Sequence, residues 1–199
     1  TLYVTLEPCS HLGKRHPCTD IIKSKMFSRV VIAASDPNPK ASGGAEILRN
    51  NNIEVVENVC TEKSKKLNRR FFTFFEKKRP YVILKIASTL DGFIAELNGH
   101  SKWITNKKSR QSVHKLRSTC DAILVGRKTI EADDPSLTSH GYGKDPRIII
   151  FDPKNKINKK YKVLDKDPII FSGMDLKNNP QKNIIYVLSE LHTKSYLSL

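Results

Sequence analysis

Thr5-Leu6-Glu7-Pro8-Cys9-Ser10-His11-Leu12-Gly13-Lys14-Arg15-His16-Pro17-Cys18 encloses eight residues between two cysteines, directly after an alternating run at 2–6 that reads as a strand. A turn at the end of a strand is where two thiolates can meet one zinc ion. Two isolated cysteines are equally readable as small buried hydrophobes, so the spacing alone leaves both readings open.

Outward from this stretch, strands are expected at 2–6, 29–34 and 53–56, separated by a loop-and-helix stretch at 18–26 and a helix near 44–51. That rhythm predicts an α/β layer with a mainly parallel sheet. Residues 61–79 are strongly charged, carry Leu67, Phe71, Phe74 and Phe75 at helical spacing, and stop at Pro80. They predict a helix and a boundary between two domains, 1–79 and 80–199.

Beyond the boundary, Tyr81–Ala87 is expected as a strand and Asn98-Gly99 as a turn, with Thr105 capping a helix over 106–119. Strands are expected at Ala122–Val125 and Arg147–Phe151, a polar loop from Lys154 to Lys166, and short strands at Pro168–Phe171 and Asn183–Leu188. No G-x-G-x-x-G follows a strand, which removes support for a Rossmann cofactor site.

The chain has 199 residues, 38% hydrophobic and 28% charged, which excludes collagen-like, disordered and disulfide-framework classes. No apolar run approaches the roughly 18 residues of a membrane span, and no membrane partner is expected. The first residues lack the features of a secretory signal, and a start in mid-strand without methionine leads us to expect sequence upstream. Four irregularly placed cysteines suit a reducing cytoplasm. The net charge of +15 raises the question of nucleic acid, but 25 lysines against 10 arginines, dispersed among Asn and Ile, predict solvated faces and no nucleic-acid partner.

The whole cysteine string resembles the pyrimidine deaminase half of the bifunctional deaminase/reductase family of riboflavin biosynthesis, which has the long gap between its cysteines. Asp36-Pro37-Asn38-Pro39-Lys40 with Gly43 and Ile53-Glu54-Val55 looks like that half's second motif, and Leu67-Asn68-Arg69 with Phe71 like its interdomain helix. Ala45 stands where the family usually has glycine. From Tyr81 the match passes to the reductase half: Ile83 to Gly92, Ser101-Lys102-Trp103-Ile104-Thr105, His114-Lys115-Leu116-Arg117, and Gly126-Arg127-Lys128-Thr129 leading to Asp133-Asp134-Pro135-Ser136-Leu137-Thr138.

The resemblance implies a cytidine-deaminase-like three-layer domain followed by a dihydrofolate-reductase-like α/β domain, both incomplete. It implies Zn²⁺ held by Cys9 and Cys18, and a phosphorylated pyrimidine contacted by His11, Lys14 and Asn38. Lys14 offers a mobile charge for a phosphate, and Asn38 offers a donor and an acceptor for a ring edge. His16 is expected to face solvent. In the second domain the resemblance implies NADPH at Ser88, Trp103, Thr129 and Asp133, substrate at Ser101, Arg117 and Leu137, and Lys85 as an aid to ribose ring opening. Arg117 suits a bidentate grip on phosphate, and His140 stands where the family often has a substrate-binding arginine.

The family's H-x-E motif, with its third zinc ligand and proton-shuttling glutamate, does not occur in these residues. Glu7 belongs to the cysteine motif instead. The expectation is an internal fragment of a self-associating cytoplasmic enzyme that deaminates a ribosylamino-pyrimidinone phosphate and then reduces its ribosyl chain, the fragment being inactive alone. A rival reading is a basic zinc-binding or nucleic-acid-binding module that keeps the fold without catalysis. Retained Lys14, Asn38, Arg117 and Asp133 argue against it.

Overall fold

The computed structural model describes residues 1–13, 15–173, 188 and 190. The chain divides into two units, Thr1–Tyr81 and Val82–Leu199.

In the first unit the expected α/β rhythm is realised as β1 (Leu2–Val4), α1 (Cys18–Ser24), β2 (Arg29–Ile32), α2 (Gly44–Asn50) and β3 (Glu54–Val56), followed by α3 (Thr61–Leu67) and α4 (Arg69–Lys77). The sheet is parallel in the order β1-β2-β3, with Val30 opposite both Leu2 and Val55. A parallel central strand is covered on both faces and therefore reads as a continuous apolar run, which is why Arg29-Val30-Val31-Ile32 is legible without alternation. Ile22, Val30, Ile32, Ala45, Leu48 and Ile53 form the core, joined by Leu2, Val4, Phe27 and Val55.

The expected single helix at 61–79 is two helices broken at Asn68, which stands between α3 and α4 as the end of one and the start of the other. Their sequence-distant anchors are hydroxyls: Thr61 Oγ1 donates to the carbonyl of Ala33 at 2.7 Å, and Ser64 Oγ to that of Thr5. Such bonds satisfy carbonyls just past the ends of β1 and β2, where the ladder stops.

The second unit contains α5 (Lys107–Ser118), β4 (Ala122–Gly126), α6 (Arg127–Asp133), β5 (Arg147–Phe151), a 3₁₀ turn (Lys162–Lys166) and β6 (Ile169–Phe171). Its sheet is parallel in the order β4-β5-β6. Ile130, Leu137, Ile148, Ile150 and Val163 make the main core, and the full burial of Val163 explains why part of the expected polar loop coils into a turn. The cap of α5 is Asn106, not Thr105: Asn106 Oδ1 accepts from Ser109 N at 2.9 Å.

Tyr81–Ala87 is not a strand. An apolar run becomes a strand only by pairing its backbone, and this one has no ladder among the described residues. Val82, Ile83, Leu84 and Ile86 are all exposed, Leu84 by 81%. The Asn98-Gly99 turn is present, with Gly99 N donating to Glu96 O and Glu96 N to His100 O, both at 2.9 Å. Residues 183–187 of the last expected strand lie outside the described residues.

Gly44, at the start of α2, is the tightest backbone approach in the first unit: a Cβ there would stand 1.8 Å from the carbonyl oxygen of Pro8. Gly44→Ala must push α2 away from the cysteine loop, and a loss on the order of 3 kcal/mol is expected. Urea denaturation checks this; an unchanged midpoint would show that the two segments are not pressed together.

Candidate functional site

In the first unit two loops are laced together beside the cysteines. Glu7, buried in front of Pro8-Cys9, accepts Asp36 N, Gly43 N and Ala45 N, each at 3.0 Å. Ser10 N donates to Ala41 O at 3.1 Å, and Ser10 Oγ to Ser42 O at 2.6 Å. A carboxylate spent on three backbone N–H groups is an organiser of loops and has little capacity left to carry protons. Sequence reading set Glu7 aside as a proton shuttle without finding this task.

Cys9 and Cys18 are brought together. Cys18 N donates to Cys9 Sγ at 3.3 Å, and both thiols are free. Burial, with the hydrogen bond and charge of Cys9, pushes the Cys18 thiol up. Two sulfurs converging at a strand-to-helix turn suit a thiophilic divalent cation, which would favour the thiolate forms. Among the described residues no group of three or more His, Cys, Asp and Glu side chains gathers there or elsewhere. The pair thus fits as two ligands of an incomplete set.

Around the pair, Asp36 is raised by burial, lowered by the Asn38 N–H, raised by Glu7 and lowered by His11, so His11 and Asp36 share one electrostatic neighbourhood. Asn38 Oδ1 already accepts Lys40 N at 3.1 Å, which leaves its amide nitrogen as the available donor. His11 and His16 are exposed. Lys14 lies outside the described residues.

In the second unit the site is built where the loop following α6 returns across α5. Arg117, half-buried on α5, donates through Nη1 to Thr138 O at 2.7 Å, beside the buried Leu137. Burial pushes its guanidinium down and Asp145 raises it, yet an arginine stays charged throughout the physiological range. The loop is closed by Asp145, whose Oδ1 accepts Ser139 N at 2.7 Å and Ser139 Oγ at 2.9 Å. The single Ser139 Oγ–H is shared between Asp145 Oδ1 and Gly143 O, the latter at 2.7 Å. Gly143 has φ +147°, a conformation that favours glycine, and a Cβ there would press within 3.1 Å of Ser118 Cβ on α5.

Trp103 is 70% exposed, with the Arg110 guanidinium 4.1 Å from its ring centroid. Thr129 and Asp133 are exposed four residues apart on α6, hence on one helix face. Ser101 is half-buried, and Lys85 and Ser88 are exposed in the irregular stretch after Tyr81. The structure therefore joins Arg117 to the Leu137–Thr138 strand of loop, and places Trp103 on Arg110 of the same helix. Among the described residues no contact draws Lys85 or Ser88 to them.

Asp152 escaped the sequence reading. Fully buried at the carboxyl end of β5, it lies 3.2 Å from Arg127 Nε through Oδ1, an ion pair without hydrogen-bond alignment, and accepts Ile157 N at 2.8 Å through Oδ2. Arg127 also meets Glu131. The signal available was position: an acidic residue immediately past a buried parallel strand, where open α/β sheets place their ligand loops.

The model of the "RibD C-terminal domain" matches residues 80–198. A riboflavin biosynthesis protein RibD of Aquifex aeolicus is 50% identical over 170 residues, covering 84% of this chain and 48% of the relative. That of Escherichia coli is 35% identical over 165 residues, covering 82% and 45%. A solved diaminohydroxyphosphoribosylaminopyrimidine deaminase/5-amino-6-(5-phosphoribosylamino)uracil reductase of Thermotoga maritima superposes with a TM-score of 0.85 at 41% identity, over 96% of this chain and 58% of its own. RibD of Acinetobacter baumannii gives 0.81 at 32%, over 98% and 60%. The chain spans about half the length of the curated relatives it matches. Its parallel α/β fold is that of the RibD structures.

The Ser139 N–H, followed by Ser139 Oγ, holds the Asp145 carboxyl below its usual range. A depressed carboxylate contributes its stabilisation above the unfolded value of ~3.9 and loses it as pH falls through the folded value. Hydrogen-exchange protection at Ser139 should therefore persist at pH 5, fall below about pH 4, and be lost at both pH values in Asp145→Asn. Equal protection in that variant would remove Asp145 as the clasp of the loop.

Proposed function

The chain belongs to the RibD family, whose C-terminal domain it carries over residues 80–198, and from that premise we propose that its second unit is an NADPH-dependent reductase of riboflavin biosynthesis. Its substrate is a 5-amino-6-(phosphoribosylamino)uracil, the compound named for the Thermotoga maritima relative. The observation that carries this reading is the return of the loop across α5, which puts a charged Arg117 against Thr138 and next to buried Leu137.

NADPH, when bound, supplies the hydride, while the protein supplies position and charge. The donor set suits it: an exposed indole for an aromatic ring, and Thr129 and Asp133 as a hydrogen-bonding pair on one face of α6. In this reading Trp103, Thr129, Asp133 and Ser88 hold the cofactor, and Ser101, Arg117 and Leu137 hold the substrate. Arg117 has donors remaining beside the one given to Thr138, enough to meet two phosphate oxygens. Lys85 aids ring opening of the ribose.

For the first unit we propose descent from the pyrimidine deaminase half of the same family, supported by the superposition over 96% of this chain and by the converging sulfurs. Zinc would be held by Cys9 and Cys18, and when bound it supplies the Lewis acidity that hydrolytic deamination needs. His11 and Asn38, with Lys14, contact the pyrimidine phosphate. Since Glu7 is committed to backbone N–H groups, these 199 residues do not deaminate by themselves. A cytoplasmic setting and self-association belong to the same proposal.

Trp103 is the sole tryptophan, so its fluorescence reports the cofactor site directly. NADPH should quench it with an affinity at least tenfold above that of NADH, and Asp133→Ala and Thr129→Val should each weaken NADPH severalfold. Equal affinity for the two nucleotides would remove the NADP assignment, and no quenching by either would remove the reductase reading. Zinc, assayed separately in purified chain, should stay below one equivalent and leave on mild chelation; a tightly held full equivalent would require a third ligand within these residues.

A further inference from the structure

One cluster in the second unit is not used by that reading. His114 lies on α5 between Arg110 and Arg117, four residues from one and three from the other, and so on their face. Its ring centroid is 4.1 Å from that of His140, and it stacks at 6.4 Å and 16° on Tyr142. Lys115 stands over the Tyr142 ring at 5.6 Å. Nδ1 of His114 is buried with no hydrogen-bond partner.

The charged groups facing this ring pair are one-sided. Arg110, Arg117 and Lys115 come from α5, and His140 and Tyr142 from the loop. Asp145, a carboxylate that feels His140, is engaged by Ser139. Burial, then His140, Arg117 and Arg110, push the His114 imidazolium down. An imidazole so close to a second ring and flanked by guanidinium groups, as His114 is, holds a proton poorly until a negative charge arrives. A buried nitrogen without a partner is likewise costly unless something comes to meet it or its neighbour.

We propose that His140, backed by His114, forms with Arg117 a proton-gated clamp that grips a divalent oxyanion and takes up one proton from solvent as the anion binds. The inference rests on the reductase reading in one respect: the natural oxyanion is the phosphate of the sugar-phosphate substrate. No covalent bond changes. The proton enters an imidazole nitrogen on binding and returns to water on release. His114 is a positioning residue, since it acts on the anion through the ring of His140.

Sulfate is the probe, because it stays a dianion across the range in which histidine titrates, near pH 6.5. Titrated into the whole chain, it should bind more tightly as pH falls from 8 to 5.5, by roughly tenfold per unit at the steepest, the slope of one linked proton. Proton resonances of both imidazoles should titrate at higher pH in saturating sulfate than without it. His114→Gln and His140→Gln should each flatten the pH slope. His140→Arg should bind sulfate at pH 8 about as well as the parent chain does at pH 5.5. Binding independent of pH, no binding at any pH, or an unchanged slope in both glutamine variants would each overturn the clamp. The reductase reading is judged apart, by Trp103 quenching in the unsubstituted chain: quenching with flat sulfate binding sinks the clamp alone, and linked sulfate binding without quenching sinks the reductase assignment alone.

Discussion

Everything proposed for the second unit depends on the loop from Leu137 to Asp145 being pinned across α5. Three unlike contacts do this: a charged donor on a carbonyl, Arg117 to Thr138; a side chain anchored in the core, Leu137 among Ile130, Ile148 and Ile150; and a close backbone approach at a left-handed glycine, Gly143 at Ser118. A loop held by one contact frays, whereas a loop held at its start, middle and end presents its residues in a fixed geometry. That is how an exposed His140 comes to sit against His114 at 4.1 Å rather than wave in solvent.

The first unit solves the same problem with a buried acid. Glu7 gathers three backbone N–H groups from the loop that leads into α2, and Ser10 ties down that loop's other carbonyls. The cost of burying a carboxylate is offset by charge-assisted hydrogen bonds, and the loop gains a single arrangement. In both units loops beside parallel strands bring some of the chemistry-bearing residues against helices that carry the others, and those loops are ordered by polar groups spent on neighbouring backbone. The lowered Asp145 is a by-product of that expenditure, whereas Asp36 is raised by its burial.

Much of this was legible from residue pattern. The apolar runs at β2 and β5 read as buried parallel strands because each is the covered central strand of its sheet, the edge strand β4 was legible from its apolar run although only half-buried, and α5 was placed within a residue at each end. The converging thiols and the Arg117 position followed from motifs. What failed was whatever depends on partners distant in sequence. Tyr81–Ala87 has strand composition and no ladder among the described residues, and composition carries no information about pairing. Asn68 divides the expected helix at 61–79, although the phenylalanine spacing continues through it. Glu7 and His114 act through contacts with residues more than twenty positions away, so nothing local distinguishes them from an ordinary surface acid or a helix histidine, whereas Asp152 offered one local sign, its place just past a buried strand.

The most direct trial of a reductase site in the second unit is a two-dimensional amide spectrum of the whole chain recorded with and without NADPH. Shifts should cluster at the Trp103 indole N–H and at the amides of Thr129 and Asp133, with smaller changes along 137–145. Shifts confined to the first unit, or spread thinly over surface lysines, would contradict the placement of the cofactor and with it the functional assignment of that unit.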